Sequence, residues 1–243
     1  MKKKYFITGV SDGLGKELCK QLLRRGDIVY GVSRRQCDMN NAIGSFIWKY
    51  CDVTNARKIK EVIEHQVSIG FLPDVVILNA GVYSTEGDEF VFEDLMKQFR
   101  INCEGSLRWI EEYLPTFRRR GAGHFVYISS IAAIFTYANR AAYSSSKGYV
   151  STIFSSLRKQ HLKSGIFFTT IYPGMLETKM TSNINVPAFL KYQASKGAGK
   201  ILKAVDKKKS IYIFPAFSFI RALIFFLMPV SLLKKLLSGR DKA

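Results

Sequence analysis

A chain of 243 residues with 47% hydrophobic and 23% charged side chains has ordinary globular composition and length enough to bury one sizeable core. The formal charge of +18 departs from the ordinary and implies attraction to an anion, whether a phosphorylated cofactor, a charged substrate, an acidic lipid surface or a nucleic acid, or else a merely basic solvated surface. Four cysteines with no CxxC pair and only three histidines argue against a metal site, and free thiols fit a reducing cytosol.

Residues Lys4–Thr8 form an apolar run too short for a signal-peptide core, so we expect a first strand and a cytoplasmic protein. Gly9-Val10-Ser11-Asp12-Gly13-Leu14-Gly15 follows, spaced GxxxGxG. Its glycines permit positive φ and close approach of a phosphate to a helix start, unless the turn is only a tight strand–helix connection. Leu14–Arg25 reads as that helix, with Leu14, Leu18 and Leu22 on one face. A second strand, Ile28–Ser33, runs into Arg34-Arg35, and a third, Phe46–Cys51, into Asp52-Val53. Asp52 by itself is a turn residue or helix cap, with Thr54 a candidate N-cap. A helix over Asn55–Ser68 carries Ile59, Val62, Ile63 and Val67.

Strand Asp74–Asn79 ends in Asn79-Ala80-Gly81, by itself an ordinary strand-ending turn. Residues 90–117 hold two helices, with Asn102 inside them as a candidate buried asparagine satisfying a backbone group. Strand His124–Ser129 leads to Ser129-Ser130, and one long helix covers 141–163. That helix contains Tyr143-Ser-Ser-Ser-Lys147, which sets a phenol and an ammonium a turn apart on one face. A cation there favours phenolate and lowers the tyrosine pKa from about 10, making Tyr143 a proton donor and acceptor. Strand Ile166–Tyr172 runs into Pro173-Gly174, and 174–194 reads as a loop with short helices, a substrate lid reaching about residue 200. The last strand is Ser210–Phe214. Strands alternating with helices at this spacing predict an α/β fold: a doubly wound parallel sheet with helices on both faces. Residues 1–210 hold it, and 211–243 add its last strand and a hydrophobic, basic C-terminal segment of the same domain.

Thr8–Gly15, Asp52-Val53, Asn79-Ala80-Gly81, Asn102, Ser129-Ser130, Tyr143-x-x-x-Lys147 and Pro173-Gly174-x-x-x-Thr178 occur in an order that resembles the short-chain dehydrogenase/reductase family, in its single-domain branch, from Lys4 to about Thr178. The resemblance implies a Rossmann-like fold and a dinucleotide held at Gly9, Ser11, Asp12, Gly13, Leu14 and Gly15. It also implies that Asp52 and Val53 meet the adenine, that Asn79 braces the adjoining strand, and that Ala80 and Gly81 admit the ribose. Pro173, Gly174, Leu176 and Thr178 would hold the nicotinamide end, with Lys147 and Tyr143 beside it. An acidic residue at the end of the second strand would repel a 2′-phosphate; this chain has Ser33, Arg34 and Arg35, whose guanidinium forks suit phosphate. NADP(H) is therefore expected over NAD(H), although Asp12 stands where many NADP-preferring relatives are basic, and Arg34 and Arg35 could be solvated charges. By the same resemblance Tyr143 is the general acid in reduction and base in oxidation. Lys147 lowers its pKa and binds ribose hydroxyls, Ser130 steadies the reacting oxygen, and Asn102 holds a water linking Lys147 to solvent. Ser129 is read as a neighbour of the catalytic serine, and a homodimer or homotetramer is a family expectation.

The segment 211–237 is apolar but broken by Pro215, Arg221 and Pro229, and its uncharged stretch Ala222–Leu233 is shorter than the ~20 residues of a spanning helix. Two readings stay open. It lies on an anionic membrane, at the inner face, with Lys207-Lys208-Lys209 and Lys234-Lys235 at its ends, or it forms a subunit interface or pocket wall. Pocket walls are expected from 174–200, Ile131–Tyr137 and Tyr83–Phe90, with Ile134, Phe135, Tyr137 and Phe189 hinting at an apolar or lipid-linked small-molecule substrate unless they are ordinary core. The leading function is an NADP(H)-dependent oxidoreductase acting on a carbonyl or hydroxyl carbon; the alternative is a catalytically silent nucleotide-binding regulator. Nucleic-acid binding has only the net charge behind it and is not expected.

Overall fold

A computed structural model describes residues 2–37, 39, 43–84, 91–136, 139–182, 184 and 191–227. Strands β1 (Lys4–Thr8), β2 (Ile28–Ser33), β3 (Ser45–Tyr50), β4 (Val75–Leu78), β5 (Gly123–Ile128), β6 (Ile166–Pro173) and β9 (Ile211–Phe214) form one sheet in the order β3-β2-β1-β4-β5-β6-β9. Every neighbouring pair is parallel, with Tyr5 opposite Val29 and Val75, His124 opposite Val75, and Ile171 opposite Tyr212. All the strand ends therefore lie along one edge. The order reverses between β1 and β4, so their following turns splay apart and open a crevice.

Side chains alternate across the sheet. Tyr5 and Ile7 face a core shared with Leu14, Leu18, Leu22, Ile201 and Leu202. Phe6 between them faces the other layer, packed with Tyr30, Trp109, Phe117, Phe125 and Phe154. The first layer belongs to α1 (Gly13–Arg24) and α6 (Ala194–Asp206), the second to α2 (Ala56–Ser68), α4 (Gly105–Arg120) and α5 (Ala141–Gln160). Burying both faces explains the continuous apolar strands.

Each sheet strand lies within one residue of its predicted bounds. Several details differ. Helix α1 starts at Gly13, capped by Asp12, whose Oδ1 accepts from the Gly13 N–H at 2.7 Å. Helix α2 is capped by Asn55, not Thr54, and Val67 on it is 75% exposed, so its buried stripe is Ile59 and Val62. The two helices expected over 90–117 are α3 (Phe92–Phe99) and α4, joined without a break by a π turn over Arg100–Glu104. The long helix ends at Gln160. The loop expected over 174–194 ends where α6 begins at Ala194, and α6 packs on α1. Glycines hid that helix: a Cβ at Gly197 would meet Leu176 at 3.2 Å and one at Gly199 would meet Gln21 at 3.2 Å, tight contacts that go with close packing here despite the poor helix propensity of glycine. Before α6, the paired two-residue strands β7 (Leu176–Glu177) and β8 (Tyr192–Gln193) and a 3₁₀ turn (Lys179–Thr181) order part of the segment.

Helix α7 (Ala216–Leu227) follows β9 and rests on the 131–133 turn through Phe219, whose ring centroid is 5.4 Å from that of Phe135. Among the described residues no helix is long and apolar enough to cross a membrane. Lys207–Lys209 precede β9 and so stand at the amino edge of the sheet, where Lys208 covers the Phe167 ring at 4.0 Å. They do not flank the start of α7, which leaves the opposite edge; the residues from 228 onward, with Lys234 and Lys235, lie outside the described residues.

Candidate active site

The switch in strand order creates a cleft of about 930 Å³ over the carboxyl edge. Its floor is tied together from two strands. The Thr8 hydroxyl oxygen accepts the Asn79 and Ala80 N–H groups at 3.0 and 2.9 Å, and Asn79 Nδ2 donates to the Thr8 and Gly9 carbonyls, both at 3.0 Å. The turn after β1 is thereby held against the end of β4. Gly9 has φ of +75° and Gly13 of +53°, which L side chains resist. At Gly15 a Cβ would lie 2.0 Å from the Gly9 carbonyl oxygen. The turn is a bare backbone concavity at the N-terminus of α1, the form that accepts a pyrophosphate.

Charge gathers at one end of the cleft. Ser33 is buried: its hydroxyl donates to the Arg35 carbonyl at 2.6 Å and accepts from Trp48 Nε1 at 2.9 Å, so it shapes the turn that presents Arg34 and Arg35. Asp12 Oδ2 pairs with Lys179 at 3.2 Å and Arg35 at 3.5 Å. Burial raises the Asp12 carboxyl, but the Gly13 N–H and these two cations outweigh it and hold it below its ordinary range. Asp52 is engaged locally: its Oδ1 accepts from the Thr54 N–H at 3.0 Å and the Thr54 hydroxyl at 2.8 Å, the turn role expected of it alone, while it and Val53 still line the cleft.

At the other end β5 and α5 bring hydroxyls and cations together. Ser130 caps the 131–133 turn, accepting the Ala132 N–H at 3.1 Å, and its hydroxyl stands near enough to the Tyr143 phenol to draw its pKa down. Lys147 is 4% exposed and donates to the Ile128 carbonyl at 2.9 Å. Burial brings its ammonium down to about 8. Burial likewise raises the Tyr143 phenol, and the groups that pull it back are Ser130 and then Arg140. This corrects the expectation that Lys147 lowers Tyr143: a shared helix face does not fix where a long side chain points, and Lys147 turns to the end of β5. Arg140 had no motif to announce it. Its guanidinium carbon stands 5.4 Å from the Tyr83 ring centroid, and that ring meets Tyr143 edge-on at 5.2 Å.

Asn102 is fully buried in the π turn and does not line the cleft. Its Oδ1 accepts from the Val82 N–H at 2.8 Å, and its Nδ2 donates to the Val82 carbonyl at 3.1 Å and the Ser146 hydroxyl at 3.0 Å, the backbone-satisfying role open to it from sequence. It also reaches the cation indirectly, since a Cβ at Gly81 would lie 3.1 Å from Asn102 Oδ1 and 3.2 Å from Lys147 Nζ. The buried Ser129 hydroxyl turns into α5, sharing a hydrogen bond with Ser151 at 2.8 Å.

Gly9, Ser11, Asp12, Gly13, Leu14, Gly15, Ser33, Arg34, Arg35, Asp52, Val53, Asn79, Ala80, Gly81, Pro173, Gly174, Leu176 and Thr178 all line this cleft, together with Ser130, Tyr143 and Lys147. Sequence reading missed Arg140 and gave Lys179 no role, whereas the expected wall segments 174–200 and Ile131–Tyr137 do contribute Ile131, Met175, Met180 and Ile184. Ile134 and Phe135 do not line it; the first is 37% exposed and the second packs on Phe219. Tyr137, Phe189 and residues 85–90 lie outside the described residues. No cluster of three or more His, Cys, Asp or Glu able to hold a metal occurs among the described residues.

Comparison with known proteins agrees with this geometry. The family model described as short chain dehydrogenase matches residues 3–188. An uncharacterised oxidoreductase of Myxococcus xanthus (strain DK1622) is 33% identical over 189 residues, covering 74% of this chain and 75% of the relative. One from Staphylococcus aureus (strain USA300) is 27% identical over 214 residues, covering 85% and 92%. A short-chain dehydrogenase from Burkholderia cenocepacia J2315, solved in complex with NADP, superposes with a TM-score of 0.81 at 21% identity, covering 97% of this chain and 98% of the other.

Proposed function

The chain belongs to the short-chain dehydrogenase family of oxidoreductases, and from that premise we propose that it moves hydride between NADP(H) and a carbonyl or hydroxyl carbon. One observation carries the reading: Ser130, Tyr143 and the buried Lys147 line the same cleft as a bare glycine concavity. The residues fit a dinucleotide, because the turn is closed to any Cβ at Gly15 and yet open to the cleft. Gly9–Gly15 would hold its pyrophosphate, Asp52 and Val53 its adenine, Lys147 its nicotinamide ribose, and Leu176 and Thr178 its carboxamide. Bound there, the cofactor supplies or takes the hydride. The protein supplies the proton. Tyr143 gives it to the carbonyl oxygen in reduction and removes it from the hydroxyl in oxidation. Ser130 donates to the same oxygen as charge develops on it. Asn102 positions the Gly81–Val82 turn against Lys147.

The 2′-phosphate preference rests on Arg34 and Arg35, both exposed at the end of β2, with no carboxylate at Ser33. The NADP held by the Burkholderia neighbour supports the same choice. Purified protein should oxidise NADPH, read at the nicotinamide absorbance band, with at least one member of a broad ketone and aldehyde panel. Binding without turnover across the panel would favour the silent regulator. Arg34→Ala should weaken NADPH about tenfold and leave NADH affinity nearly unchanged, as loss of one charged hydrogen bond at an exposed site predicts. Equal losses, measured by fluorescence titration, would remove the preference.

A peripheral contact with an anionic bilayer belongs to the same proposal. Phe217, Ile220, Leu223, Ile224 and Leu227 are exposed at helical spacing on α7, an apolar stripe beside the 131–133 turn. Sedimentation with phosphatidylglycerol vesicles should pellet the full chain and leave a chain truncated after Phe214 in the supernatant. Equal supernatant fractions would rule out attachment through the tail.

A further inference from the structure

We propose that Arg140 is an anion-reading residue of the substrate site, so that the carbonyl compound this protein accepts carries an oxyanion, a carboxylate or a phosphate, close to its reacting carbon. The inference rests on the oxidoreductase reading and names its substrate class. Arg140 immediately precedes α5, three residues before Tyr143, and lines the cleft at that end. Its guanidinium is seated on the Tyr83 ring, 5.4 Å from the centroid, and Tyr83 stands edge-on to Tyr143 at 5.2 Å. The chain of contacts Arg140–Tyr83–Tyr143 sets a planar fork of donors beside the phenol that meets the reacting oxygen. Arg34, Arg35 and Lys179 lie at the far end with Asp12 and the glycine turn, so Arg140 is separate from the cations that suit the cofactor phosphates. The same cleft is lined by the apolar Ile131, Met175 and Ile184, and a cation–anion pair in a partly desolvated cleft is stronger than in water. The fitted substrate has an apolar body and one oxyanion.

The test compares benzoylformate with ethyl benzoylformate, which share a ketone and an aromatic body and differ in charge. Binding is measured by calorimetry on the full chain, with and without NADP⁺. The acid should bind more tightly than the ester. Arg140→Gln should cost the acid about 10–100-fold in affinity, as loss of a charge-assisted hydrogen bond predicts, and should abolish its advantage over the ester. Arg140→Lys should keep part of that advantage, and Tyr83→Phe, which retains the ring under the guanidinium, should keep nearly all of it. Equal affinity for acid and ester, no saturable binding of either, or a preference that survives in Arg140→Gln would overturn the subsite. Absence of dinucleotide binding in the same titrations would count instead against the oxidoreductase reading, while the acid–ester comparison without NADP⁺ still judges Arg140.

Discussion

Tyr143→Phe should lower turnover by about 10²–10⁴-fold on any carbonyl the protein accepts, the range for loss of a positioned general acid, with NADPH affinity and melting temperature close to the parent's. Phenylalanine keeps the ring that meets Tyr83 at 5.2 Å, so the packing at the start of α5 stays. Only the hydroxyl that faces Ser130 is lost. The pH dependence of the parent follows from its neighbours. Burial holds the Tyr143 phenol above its ordinary range, so the acid remains protonated through neutral and mildly alkaline pH. Lys147, brought down to about 8 by burial, is charged below that value and neutral above it. With the Tyr143 proton retained, what is lost as pH rises through about 8 is the Lys147 charge that would hold the nicotinamide ribose, so kcat/KM for reduction should fall there. A variant Tyr143→Phe as fast as the parent would end the proton-transfer role, and a kcat/KM that does not fall as pH rises through about 8 would remove the role given to the Lys147 charge.

Gly15→Ala should remove NADPH binding and cost about 3 kcal/mol of stability, the upper part of the usual range for overpacking. For a chain of this size that is a fall of roughly 6–12 °C in Tm. The added Cβ would lie 2.0 Å from the Gly9 carbonyl oxygen and 2.6 Å from Asn79 Nδ2. Neither can step aside cheaply. The first is backbone, and the second is held by hydrogen bonds of 3.0 Å to the Thr8 and Gly9 carbonyls. Relief must come from moving the turn away from the end of β4, which spoils the concavity. Gly26→Ala is the contrast: its φ is +80° and nothing lies within 4 Å of the added carbon. It should show only left-handed strain, about 1–2 kcal/mol, with NADPH affinity intact. Scanning calorimetry and fluorescence titration read both effects, and a Gly15→Ala variant that binds NADPH as the parent does would refute the cradle.

Much of the site was legible because its parts are turns after strands. Thr8–Gly15, Asp52-Val53, Asn79–Gly81 and Pro173–Thr178 are short segments whose residue types answer local demands, such as positive φ at Gly9 and Gly13. Seven parallel strands then carry all of these turns to one edge. Less legible were elements whose reasons are not local. Helix α6 contains Gly197 and Gly199, which pack closely on Leu176 and Gln21 from elsewhere in the chain. The π turn at Arg100–Glu104 places Asn102 against Val82, twenty residues earlier.

The sequence by itself determined the fold class, because apolar alternation and glycine spacing are periodic or contiguous properties, and most of the cleft was named through the family resemblance that its short motifs carry. Only the tertiary structure decided which charge acts on which group. It turned Lys147 to the Ile128 carbonyl, set Arg140 on Tyr83 beside the phenol, tied Asp12 to Arg35 and Lys179, and left Lys207–Lys209 at the sheet edge away from the start of α7. The reason is physical: electrostatic effects fall with distance and rise with burial, and neither is a property of spacing along the chain.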